Sequence, residues 1–119
     1  MKTQNTWVRQ PQETKGDYWF NGRAYITTNV INELPSEEIN QIVSDLKEFV
    51  QEEQGIDYLQ VYKRLDGRKI YCIDQLSLSM INSGNYTKEE ILEYNYWTIL
   101  FAEDYWFTHI ICYVERCTL

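Results

Sequence analysis

The sequence predicts an α+β domain: an antiparallel sheet of about four to six strands, one long amphipathic helix packed on one face of it, and a second, short helix. Three observations predict this. Apolar residues recur at three- and four-residue steps from Ile39 to Val50, the period of a helix with one buried stripe. Two alternating runs flank Asp66-Gly67, the strongest short hairpin signal. Further β-branched and aromatic runs stand at 23–30, 96–101 and 106–115. A chain of 119 residues, 44% hydrophobic and 24% charged, supports one core but not two.

Residues 1–21 are polar and contain Pro11 and Gly16, so they read as an N-terminal arm or early edge strand in front of a single α+β domain over 22–119. Trp7, Tyr18, Trp19 and Phe20 predict that the arm docks, since neighbouring aromatics gain by leaving water. "RAYITTNV" at 23–30 is the first strand. The long helix spans 36–54: Pro35 or Ser36 starts it, Glu37 and Glu38 place negative charge on the first turn, and Gly55 fits the left-handed position past the last turn.

The hairpin covers 57–74, with positive φ expected at both turn residues. In "GIDYLQVYKR", Leu59 and Val61 read as the inward apolar face, and Tyr58, Gln60 and Tyr62 as the outward one. The second hairpin strand runs on through 75–80, where Leu76, Leu78 and Met80 alternate with polar residues. Ser83 and Gly84 break it, and Thr87 with Glu90 forms a capping box that opens the short helix. Strands 96–101 and 106–115 follow, separated by Glu103 and Asp104. The second is apolar on both sides and therefore predicted to be central.

Charge is uneven. The net charge is −7, with seven acids against one lysine in 25–56 and six acids against two bases in 75–119. Opposite the helix's apolar stripe lie Glu38, Gln41, Asp45, Glu48 and Glu52, a row roughly 21 Å long from first to last. Ten Tyr and four Trp suit half-exposed sheet faces and protein interfaces. Lys63, Arg64, Arg68 and Lys69 form a basic cluster at the hairpin tip, too local in so acidic a chain to predict direct nucleic-acid binding.

Catalytic and cofactor signals are sparse. His109 is the only histidine and sits mid-strand; Cys72, Cys112 and Cys117 have neither disulfide-framework nor zinc spacing; the five glycines form no phosphate loop. The expectation is therefore no catalytic residue, no metal and no cofactor. No run reaches the roughly 20 apolar residues of a membrane span, and the N-terminus lacks a signal-peptide centre, so a soluble, cytoplasmic protein is expected.

"RAYITTNVINELP", "DYLQVYKR" and "TILFAEDY" together resemble the Firmicutes and phage family known as domain of unknown function nine-sixty, over residues 22–105. The likeness rests on Tyr25, Ile26 and Thr27; Glu33, Leu34 and Pro35; Asp57 to Val61; and Thr98, Glu103, Asp104 and Tyr105. It departs at "KIYCIDQLSLSM", and the helix after Thr87 looks like an addition. The resemblance implies a bacterial, plasmid or phage setting and no known activity.

Charge and setting together lead to a functional expectation. The chain would be a non-enzymatic protein-binding protein of a phage or mobile element, inhibiting a host defence nuclease as anti-CRISPR proteins do, by blocking a basic nucleic-acid groove. Glu38, Asp45, Glu48, Glu52, Glu103 and Asp104 would meet that groove, with Tyr58 and Tyr62 as anchors. One alternative is a module that homodimerises through an aromatic sheet face; another is a small hydrolase using His109.

Overall fold

The computed structural model describes residues 6–105 and the strand placement of 114–116. The elements are β1 (Trp7–Arg9), β2 (Arg23–Thr27), α1 (Thr28–Glu33), α2 (Ser36–Glu53), β3 (Leu59–Arg64), β4 (Lys69–Asp74), α3 (Leu78–Asn82), α4 (Lys88–Tyr94), β5 (Tyr96–Phe101) and β6 (Val114–Arg116). The described strands form one six-stranded sheet in the order β1-β3-β4-β5-β2-β6. All pairs are antiparallel except β2 with β5, because the crossover through α1 and α2 carries the chain past β5 and β4 to β3. The α+β class with one long helix on the sheet is as expected. Among the described residues, no helix is long and apolar enough to cross a membrane.

Helix α2 runs close to its expected span and lays Ile39, Ile42, Val43, Leu46 and Val50 on the sheet. No side chain caps its start, where Pro35 provides the fixed φ. Its end differs slightly from expectation: Gln54 is itself left-handed (φ 56°, ψ 53°), and Gly55 follows at φ 107°. Opposite them, Gly16 allows the chain to pass so close that a Cβ would sit 2.7 Å from the Ile56 carbonyl oxygen. That approach lets Tyr18 and Ile56 bridge and brings Phe20, 2% exposed, into the core.

Several local expectations are corrected. The first strand stops at Thr27, and 28–33 is helical, because Val30 and Leu34, four apart, both turn into the core. The second hairpin strand does not run on through 75–80. Ser77 caps α3 instead, its Oγ accepting from the Met80 N–H at 3.1 Å, while the Asp17 carboxylate accepts from the Ser79 N–H at 2.9 Å and from the Ser79 hydroxyl. The hairpin loop spans four residues, 65–68, and among them only Gly67 has a positive φ, 92°. The capping box at Thr87 and Glu90 forms as predicted. The last strand is not central where it is described, since β6 lies at the sheet edge beside β2. Its predicted start at 106–113, with His109 and Cys112, and Cys117 beyond it, lie outside the described residues.

The face assignment on β3 is inverted. Gln60 and Tyr62, each 1% exposed, point under α2, whereas Leu59 and Val61 are half-buried on the other side. Through the cross-strand register, the inner face continues with Ile70, Cys72 and Asp74 on β4 and with Trp97, Ile99 and Phe101 on β5. The outer face carries Val8, Lys63, Val61, Leu59, Lys69, Tyr71 and Ile73.

Candidate functional site

The acidic row of α2 divides into two parts. Its first three members face β1 and β3. Glu38 accepts from the Trp7 indole N–H at 2.8 Å, with the Arg64 guanidinium 3.6 Å away; Gln41 accepts from the backbone N–H of Thr6 (3.0 Å) and Trp7 (3.4 Å). Asp45 accepts from Arg9 Nε at 2.8 Å and from the Tyr62 hydroxyl at 2.7 Å. Positions i, i+3 and i+7 of the helix thus dock the edge strand, and Gln41 occupies a backbone donor that a lone edge would leave open. Of the five described residues of this row, only Glu48 and Glu52 stand exposed and unpaired.

The same geometry accounts for Tyr62. Expected as an outward anchor, it lies in the core because Asp45 receives its hydroxyl; burial above all, then the neighbouring Cys72 and the Asp45 carboxylate, push that phenol far above its ordinary pKa. Glu38 and Asp45 are thus paired within the fold while still partly exposed, and the Tyr62 ring is buried.

Glu103 and Asp104 are also engaged. Arg68 donates Nε to Glu103 at 3.0 Å and Nη1 to Glu33 at 2.9 Å, with its guanidinium 3.7 Å above the Phe101 ring. Asp104 accepts from Asn29 Nδ2 at 2.9 Å. Arg64 pairs with Asp66 at 2.8 Å and lies over Trp7. The two arginines of the basic cluster therefore tie the hairpin to α1, α2 and the turn after β5, and the cluster is not a uniform patch.

The two lysines of that cluster behave differently. Alternation puts Lys63 on the outer face, and the register places Lys69 directly opposite it. Both are exposed and unpaired among the described residues, and like charges directly opposed on a sheet are unfavourable. A shallow groove runs from them over Val61 and Leu59 to Tyr58 and Glu13. Glu13 is likewise exposed and unpaired; Tyr58 is 46% exposed and meets Tyr18 ring to ring at 6.1 Å. Sequence reasoning grouped the basic residues by position; strand alternation was the signal that separates Lys63 from Arg64.

On the inner face, Asp74 is the most deeply buried carboxylate among the described residues. It is 3% exposed and accepts from the backbone N–H of Phe20 and of Gln75, each at 2.9 Å. Burial pushes its pKa up to about 6, and the backbone donors pull the other way. Its bond to Phe20 secures a residue in the left-handed region (φ 50°), a conformation that costs a non-glycine residue roughly 1–2 kcal/mol.

Cys72 is fully buried and burial raises its thiol pKa, which removes the thiolate a nucleophile needs. Among the described residues, no group of three His, Cys, Asp or Glu side chains could hold a metal ion. No family model, curated protein or solved structure matches the chain.

Proposed function

We infer that this is a non-enzymatic protein-binding domain whose contact surface is the outer face of the sheet, and that the partner is a second copy of the same chain. One observation carries this reading: the groove on that face is electrically bipolar. Glu13 lies at the Asp57 end of β3 and Lys63 with Lys69 at the other, with Leu59 and Val61 between them. At about 3.3 Å per residue, the poles are roughly 20 Å apart. A two-fold axis lying in the interface and crossing β3 at right angles between Leu59 and Val61 would set the acid of each copy against the lysines of the other and cover the apolar strip, which is the self-complementarity that an isologous interface requires.

Sedimentation velocity on the chain and on Val61→Glu tests it. The reading predicts a dimer that the substitution converts to monomer. A chain that sediments as a monomer at every concentration would remove it.

A second reading, the acidic inhibitor of a host defence nuclease, is favoured by one observation: Glu48 and Glu52 remain free on the exposed flank of α2. With Glu38 and Asp45 engaged inside the fold, a basic groove would meet those two carboxylates alone. The double substitution Glu48→Lys, Glu52→Lys therefore separates the readings, since it abolishes capture of a basic partner and leaves self-association intact.

A further inference from the structure

The inner layer is not filled everywhere. Between the C-terminal half of α2 and the segment entering β2 lies a half-open cleft of about 490 Å³, within the size range of small-molecule sites. Trp19, Ala24 and Val50 line it, together with Lys47 and Gln51 of α2.

Ala24 is the informative residue. It sits on the helix-facing side of β2, opposite Trp97 and two residues before Ile26, both almost fully buried. A side chain of their size at position 24 would occupy the cleft and gain burial. The methyl group of Ala24 leaves that space open. Gly22 beside it has a different explanation, since a Cβ there would lie 2.1 Å from the Asn95 carbonyl oxygen.

The polar character of the cleft is one-sided. Lys47 is the only basic residue on α2 and is exposed and unpaired among the described residues. The Trp19 indole N–H is buried and has no acceptor. In a chain of net charge −7, none of the described residues lining the cleft is a carboxylate. An aromatic ring, apolar side chains and an exposed cation complement a flat ring that carries an anionic group.

We propose that this cleft binds a small planar aromatic anion, with the ring against Trp19 above Ala24 and the carboxylate or sulfonate at Lys47. This site is independent of the outer sheet face and of self-association.

The test titrates anilinonaphthalenesulfonate into the full chain and follows its fluorescence together with tryptophan quenching. The expected result is saturable one-to-one binding that naphthoate displaces. Uncharged naphthalenemethanol should displace it at least about tenfold more weakly, for want of one charge-assisted contact. Ala24→Leu fills the cleft and should abolish the saturable phase while the thermal midpoint holds or rises; Lys47→Gln should weaken binding about tenfold. Val61→Glu, on the other face, should change nothing. Absence of saturable binding, or equal affinity in wild type, Ala24→Leu and Lys47→Gln, overturns the proposal. Should Ala24→Leu not fold, Lys47→Gln decides alone, because its side chain is exposed and its loss leaves the core intact.

Discussion

On the inner face of β3, Gln60 and Tyr62 are almost wholly covered by α2; on the outer face of the same strand, Leu59 and Val61 are half-covered and Lys63 stands free. The polar pair is inside and the aliphatic pair outside, the reverse of what side-chain polarity suggests. Tyr62 can enter because Asp45 receives its hydroxyl and Arg9 balances Asp45. Gln60 enters with its amide nitrogen donating to Gln12 at 2.9 Å and to the Asp57 carbonyl at 3.1 Å, while its Oε1 is buried without a partner. Partners for these polar groups, most of them from the N-terminal segment and α2 far away in sequence, offset the cost of burying them.

The largest expected effect tests the inner face. Tyr62→Ala removes a fully buried ring and leaves Asp45 with one partner fewer, so urea denaturation should show a loss of about 3–5 kcal/mol. A loss below about 1 kcal/mol would mean the ring is not the core residue described here.

Next, the two parts of the acidic row should separate sharply. Asp45→Lys sets an ammonium beside Arg9 and strands the Tyr62 hydroxyl, and should cost about 2–4 kcal/mol in the same measurement. Glu48→Lys, one helical turn on and exposed, should stay within about 0.5 kcal/mol. Similar values for both would erase the distinction between docked and free carboxylates.

The interior carboxylate sets a pH signature of intermediate size. Asp74 has a folded pKa of about 6 against 3.8 unfolded, so the folded chain holds the extra proton between those values. Its contribution to stability is complete below about pH 4 and is lost as pH rises through about 6, on the order of 2–3 kcal/mol. Asp17, lowered by the Ser79 hydroxyl, and Asp66, lowered by Arg64, act in the opposite sense at the acid end. Stability measured from pH 4 to pH 7 should fall less in Asp74→Asn than in wild type. Parallel curves would show that Asp74 titrates normally.

A small effect on stability is expected on the outer face as well. Val61→Glu should cost under about 1 kcal/mol in the separated monomer, because its half-exposed position lets the carboxylate stay hydrated. A cost like that of Tyr62→Ala would make Val61 a core residue and leave the groove without its apolar strip.

How much of this the sequence reveals depends on the range of the interaction. The period of α2, the hairpin and the capping box at Thr87 and Glu90 are local patterns, and all three are present. Where helices stand at 28–33 and 78–82, β-branched residues up to 30 and alternating residues over 75–80 set a local expectation of strand. Val30 with Leu34, and Ser77 with the distant Asp17, override it. The candidate site was harder still. Trp7 reaches Glu38 across 31 positions and Arg9 reaches Asp45 across 36, so a row of acids that looks solvated in the sequence is half covered by the chain's own beginning.

The most direct test of the bipolar outer face is a charge swap read by sedimentation velocity. Glu13→Lys alone, and Lys63→Glu with Lys69→Glu, each place like charges at both ends of a two-fold interface and should each sediment as monomers. Mixed in equal amounts, the two variants restore opposite charges at both ends and should sediment as a dimer. If each variant dimerises alone as the unaltered chain does, or if the mixture stays monomeric, the outer face is not where two copies meet.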